Sequence, residues 1–245
     1  MSHKLTKVCA HRGASGTHPE NTVAAFEEAV RLGAEMLEFD VRRTADGKFI
    51  IMHDSTVDRT TSGRGPVTAL AFDEIRALDA GEGQTVPTLD DAMAYVDRIM
   101  LNIHLYPETP GDVDAMAEVL LGRFASGSIY DRAFVASENE TVLNRLHQSD
   151  PRIRLCYLSH HAQPNYMELA LTAVPCEVLQ PTNENVTTDF VTTAHAQGLK
   201  VNVFYADDEP EMKRLIDCGV DGILTNYPAR LLNLREDLVQ YTARD

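Results

Sequence analysis

Short apolar runs alternate with amphipathic helical stretches along most of this 245-residue chain, and that rhythm narrows the fold more than any other feature. Strands are expected near 6–10 (TKVCA), 36–41 (MLEFDV), 100–105 (MLNIHL), 133–137 (AFVAS), 153–158 (IRLCYL), 177–180 (EVLQ), 200–205 (KVNVFY) and 222–225 (GILT). Helices are expected between them, near 20–32, 88–97, 111–125, 138–148, 164–173, 185–197 and 208–217. Asn21-Thr22 and Pro87-Thr88 are start signals, and Gly33, Gly198 and Gly219 follow helices as left-handed caps do. Eight such units with short connections predict a TIM-type (β/α)8 barrel in a single domain spanning 1–245. A doubly wound open sheet is the alternative, and the count of eight favours closure. Residues 54–87 break the rhythm and are expected to form a small inserted subdomain, or lid, after a hairpin that follows strand two.

That hairpin lies in Met36–Asp54, MLEFDVRRTADGKFIIMHD. Asp46-Gly47 reads as a two-residue turn, which sets Ala45 opposite Lys48, Arg43 opposite Ile50 and Asp40 opposite His53. Glu38, Asp40 and His53 then share one face. Two hard oxygen ligands and an imidazole gathered together suit a cation or a reaction better than burial alone.

Composition removes several function classes. Lys plus Arg number 22 against 37 Asp plus Glu, a net charge of −15, which argues against a nucleic-acid surface or an anionic membrane. Cys9, Cys156, Cys176 and Cys218 are scattered without CxxC spacing and read as buried thiols. The opening MSHKLTKVCAHRG has no apolar run of signal-peptide length, and no segment reaches ~18 consecutive apolar residues. A cytoplasmic protein without membrane insertion is expected. The outer helix faces of a barrel are compatible with a homo-oligomer, but no patch is sharp enough to name.

On a barrel, residues at the carboxyl ends of strands face the site. His11, Arg12, Glu38, Asp40, His53 and His104 fall there, with Glu20-Asn21 opening the first helix. The successive motifs His11-Arg12-Gly13, Pro19-Glu20-Asn21-Thr22, Glu38-Phe39-Asp40 and His53-Asp54 resemble those of the glycerophosphodiester phosphodiesterase family. So do Asp58-Arg59-Thr60-Thr61, Pro87-Thr88-Leu89 and Gly219-Val220-Asp221-Gly222-Ile223, and the likeness runs from about residue 6 to about residue 232. The resemblance implies a metal-dependent barrel that hydrolyses a small glycerophosphodiester to an alcohol and glycerol 3-phosphate. It implies His11 and His53 as the acid–base pair, Glu38 and Asp40 as ligands of one divalent ion, magnesium or calcium, and Glu20 nearby. Arg12 would hold a non-bridging phosphate oxygen.

The chain departs from the family on the third barrel strand, where a Glu followed two residues later by a Lys is usual. His104 and Tyr106 stand there. Imidazole suits manganese or zinc better than it suits calcium or magnesium, and a phenol replaces a phosphate-directed charge only as a neutral donor. Three roles compete for His104: ligand to a softer metal, contact to substrate, or the mark of a decayed site. Phe204-Tyr205 and Thr225-Asn226 replace other family residues at the same mouth and bear on substrate choice. Two further readings stay open, a weakly catalytic barrel that binds a phosphorylated ligand and a phospholipid-directed phosphodiesterase or transferase.

Overall fold

The computed structural model describes residues 5–127, 129–159 and 166–242. The strands are β1 (Lys7–Ala10), β2 (Met36–Arg43), β3 (Phe49–Ile51), β4 (Met100–Leu105), β5 (Ala133–Ser137), β6 (Leu155–Ser159), β7 (Val178–Pro181), β8 (Lys200–Val203) and β9 (Gly222–Thr225). The helices are α1 (Val23–Leu32), α2 (Phe72–Arg76), α3 (Leu89–Met93), α4 (Pro110–Gly127), α5 (Glu140–Ser149), α6 (Tyr166–Thr172), α7 (Thr188–Ala196), α8 (Glu209–Cys218) and α9 (Pro228–Thr242). All strands but β3 run parallel, in the order β1-β2-β4-β5-β6-β7-β8-β9, and β9 pairs back onto β1. The sheet is therefore a closed TIM-type barrel. No described helix is long and apolar enough to cross a membrane.

Alternation along each strand divides the apolar residues into two shells. Cys9, Met36, Phe134, Ala136, Cys156, Val178 and Leu224 fill the barrel interior. Their chain neighbours, such as Val8, Leu37, Val135, Leu155, Leu179 and Ile223, belong to the larger layer beneath the helices. Residues 54–87 draw on a third cluster, in which Val57, Val67, Ile75, Ala80 and Val86 close over Ile50 and Met52.

The hairpin differs from expectation by one residue. Thr44 N–H donates to Lys48 O at 2.9 Å, so the loop holds three residues, Ala45, Asp46 and Gly47, with Gly47 at φ +81°. A tight turn followed by a left-handed glycine gives this longer loop. Asp46 is tied down there, accepting from Thr44 Oγ1 at 2.6 Å and from Phe72 N–H at 2.9 Å. Val41 thus pairs Ile51, and Met52, in place of His53, lies opposite Asp40, donating its N–H to Asp40 O at 2.8 Å.

Two helix boundaries also shift. Glu20 and Asn21 precede α1 rather than opening it: Thr22 is the N-cap, accepting from Ala25 N–H, and Asn21 takes φ +56°. Helix α3 stops at Met93, five residues long, although its Thr88–Asp91 capping box forms as the motif suggests. Helix α9 and the short α2 were not expected. Of the helix expected at 164–173, the first two residues lie outside the described ones.

Candidate active site

The carboxyl end of β1 turns sharply. Arg12 has φ +56° and Gly13 φ +80°, and a Cβ on Gly13 would lie 2.6 Å from the Ala25 carbonyl carbon. Only glycine fits that approach to α1. The strained Arg12 backbone is held from both sides. Its N–H donates to Glu38 Oε2 at 2.8 Å, and its carbonyl accepts from Asn21 N–H at 2.9 Å. Backbone strain of this kind persists where surrounding bonds over-determine it, and it clusters at functional sites.

Beside this turn, β2 and β4 run in register, with Glu38 opposite Asn102 and Asp40 opposite His104. That register brings His104 Nδ1 to 3.3 Å from Asp40 Oδ1 and 3.9 Å from Glu38 Oε1. One ligand atom from each of the three lies within 4.8 Å of the others, and all three residues are buried. Burial raises the Glu38 carboxyl well above the usual range, and the charge on Asp40 adds to this against the pull of Arg12. Burial acts the same way on Asp40, but His104 and Arg12 outweigh it and hold that carboxyl below its ordinary value. Asp40 Oδ1 and His104 Nε2 are buried without a hydrogen-bond partner. Two dry carboxylates, an imidazole and two unpartnered polar atoms are what a cation would satisfy, so the residues fit a metal ion.

Arg12 Nη1 donates to Glu20 Oε1 at 2.9 Å, while its Nε lies 3.4 Å from Asp40 Oδ2. Glu20 stands outside the three-residue cluster. Its carboxylate is shared with Arg59, whose Nη1 and Nη2 reach it at 2.7 Å. Burial would raise Glu20, but the two arginines bring it below the usual range.

His53 reaches the same mouth by a route other than strand pairing. The chain leaves β3 at Ile51, so side-chain alternation no longer governs position 53. Arg42 Nε, on β2, holds the His53 carbonyl at 2.7 Å, and Asp54 Oδ1 lies 2.8 Å from His53 Nδ1. Arg59 donates to both Asp54 oxygens, at 2.7 and 2.9 Å. The Tyr106 ring stands edge-on to His53, 5.4 Å between centroids, and 4.1 Å from the His104 ring, with the Arg42 guanidinium 4.6 Å over its face. Burial and the charges on Asp40 and Glu38 raise the Tyr106 phenol far above its ordinary value, so it remains a neutral donor.

Across the mouth, His11 Nδ1 lies 2.9 Å from Asn226 Oδ1, and Tyr205 stacks on the His11 ring with centroids 5.3 Å apart. Burial and Arg12 lower the His11 pKa to about 4, against the opposite pull of Asp40 and Asn226. Phe204 packs at the edge of the barrel interior and, with Tyr205, lines an open cavity of about 470 Å³ that also includes Glu184 and Asp208. Asp54, Arg42, Arg59, Asp207 and the part played by Asn226 were not anticipated as site features. Asp54 was visible beside His53 in the motif, whereas Arg42 and Asp207 act through tertiary contacts that no local pattern announces.

Residues 11–230 match the model of the Glycerophosphoryl diester phosphodiesterase family. A glycerophosphodiester phosphodiesterase of Caldanaerobacter subterraneus subsp. tengcongensis is 34% identical over 94% of this chain and 97% of its own. One from Bacillus altitudinis is 31% identical over 96% of this chain and all of its own, 100%. Among solved structures, an Oleispira antarctica phosphodiesterase in complex with the product sn-glycerol-3-phosphate superposes with a TM-score of 0.82. It is 27% identical and the match covers 95% of this chain and 97% of that one.

Proposed function

The chain belongs to the glycerophosphoryl diester phosphodiesterase family, and from that premise we propose that it hydrolyses small glycerophosphodiesters to an alcohol and glycerol 3-phosphate. The observation that carries the proposal is the convergence of His11, Arg12, Glu38, Asp40, His53 and His104 on one barrel mouth. A relative of the same fold was solved with sn-glycerol-3-phosphate as its product, which supports the same product here.

Glu38, Asp40 and His104 would hold one divalent cation. When bound there, such an ion neutralises charge on the phosphoryl oxygens and makes phosphorus more electrophilic. The two carboxylates suit magnesium, calcium or manganese, and the imidazole widens the range toward manganese and zinc. Arg12 presents its guanidinium to a non-bridging phosphate oxygen, oriented by Glu20. Tyr106 supplies a neutral donor at the position where the family's lysine stands. One of His11 and His53 takes the proton of the attacking hydroxyl, and the other gives a proton to the departing alkoxide. Phe204 and Tyr205 border the space left for the alcohol. Residues 54–87 carry Arg59 to the rim and serve as the lid of a single catalytic domain.

The test is glycerol 3-phosphate release from glycerophosphocholine and glycerophosphoethanolamine by metal-stripped protein. Magnesium, calcium, manganese and zinc are returned separately, with His53→Ala as the blank. Turnover that needs a metal and vanishes in the blank is the expected result. A protein silent with every metal sinks the reading.

A further inference from the structure

Asn226 follows β9 and faces His11 with one end of its amide and Asp207 with the other. Its Nδ2 lies 2.6 Å from Asp207 Oδ2, and its backbone N–H donates to Asp207 Oδ1 at 2.8 Å. A carboxylate accepts and does not donate, so the amide nitrogen must be the atom that meets it. Turning the amide over would set two oxygens against each other at that distance. Asp207 is itself fixed: Thr225 Oγ1 donates to it at 3.1 Å, and Arg230 binds its carbonyl. Asn226 Oδ1 is therefore the atom 2.9 Å from His11 Nδ1, and Ser15 Oγ lies 2.7 Å from the same oxygen. An amide oxygen only accepts, which puts the His11 proton on Nδ1.

We propose that Asn226, locked by Asp207, is a positioning residue that holds His11 in its Nδ1–H form and leaves the lone pair on Nε2. The hydrogen bond on one ring nitrogen decides which tautomer the other nitrogen offers, and free neutral histidine favours the opposite one. A neutral amide also does this without adding the charge that a carboxylate partner would bring. His53 makes the contrast, since its Nδ1 meets the Asp54 carboxylate. The groups that act electrostatically on His11 are Arg12, Asp40 and His53, and Asp207 stands behind Asn226. The low pKa of His11 agrees with a ring kept neutral. On the functional reading above, on which the catalytic meaning rests, a neutral His11 with its lone pair on Nε2 is able to accept a proton there.

The tautomer is read by nitrogen-15 NMR of the full-length protein labelled at histidine, at pH 7.5, and kinetics are run beside it. Wild-type His11 is expected to show a protonated Nδ1 and an unprotonated Nε2. Asn226→Ala should shift the population toward Nε2–H and lower kcat by about 10²-fold, the scale of one general acid–base contribution, with a KM change under about threefold. Exchanging the pair, Asn226→Asp with Asp207→Asn, rebuilds an acceptor facing His11 and should return the Nδ1–H form. If Asn226→Ala does not fold, Asp207→Ala frees the amide to turn and gives the same readout. A wild-type His11 that carries its proton on Nε2, or an Asn226→Ala protein that keeps it on Nδ1, overturns the proposal. Failure to hydrolyse any glycerophosphodiester would instead strike the functional reading, because the spectrum does not depend on turnover.

Discussion

Glu38 and Asp40 pose the sharpest problem at the scale of single residues. Both are buried, and burial and mutual repulsion press one of them toward the neutral form. A divalent ion that binds only the folded site relieves this, and at a hundred times its dissociation constant it adds about 2.7 kcal/mol. For a chain of this size that corresponds to a rise of roughly 5–10 °C in Tm. Scanning calorimetry of stripped protein with and without manganese should show the rise, and Asp40→Asn should lose most of it. His11 makes a second prediction, in pH. Its folded pKa is near 4 and its ordinary value is 6.5, so between the two the unfolded chain binds a proton that the folded chain refuses. Stability is present above pH 6.5, falls as pH drops toward 4, and loses nothing more from this group below that. The loss is about 3 kcal/mol, measurable as a urea midpoint of metal-free protein that drops more steeply than that of His11→Gln.

Elements position these residues, and here the sequence was legible in parts. The eight barrel strands and most helices follow from periodicity, because apolar alternation and capping residues are local signals. The hairpin register is not local in the same way. Asp46-Gly47 allows a two-residue or a three-residue loop, and the second is used here, with Phe72 of α2 docked against Asp46. The sequence placed His53 correctly near Asp40 for a mistaken reason. Strand pairing would have brought it there from position 52, whereas Arg42 and Asp54 hold it in fact. Helix α9 was not expected, although Pro228 at its first position and Leu231, Leu234 and Leu238 at helical spacing are local signals of it. The β1–α1 corner yields a direct test. Gly13→Ala combines a positive φ with a Cβ 2.6 Å from Ala25 backbone, so it should cost more than about 2 kcal/mol in chemical denaturation. Arg59 should behave in the opposite way. Its side chain is half exposed, so Arg59→Ala should change stability by less than about 1 kcal/mol, while kcat falls as Asp54 and Glu20 lose their shared partner. A large shift in the unfolding midpoint of that variant would count against this view.

Over the whole molecule, a chain of alternating strands and helices closed as its pattern foretold, while the chemistry at its mouth was only half visible. His11, Arg12, Glu38, Asp40 and His104 could be named because strand ends in a barrel share one rim, and His53 because its motif follows the hairpin. Asp207 and Arg42 could not, nor could the contact of Asn226 with His11, since these roles depend on which distant side chain each one meets. Inside the barrel, Phe134 is fully buried among Cys9, Met36, Cys156 and Val178. Phe134→Ala should therefore cost about 3–5 kcal/mol, read from urea unfolding.

The separation between the barrel's own apolar clusters and the one beneath residues 54–87 bears on timing. Segments with separate cores open separately, so amides around Val57, Val67 and Ile75 should exchange with deuterium sooner than those of β4 and β5. His11 belongs to the first body, and His53 sits where the second begins. On the proposed mechanism, an acid–base pair split between the barrel and residues 54–87 cooperates only while the two are docked. The rate of turnover then becomes a gauge of how often the smaller body is home.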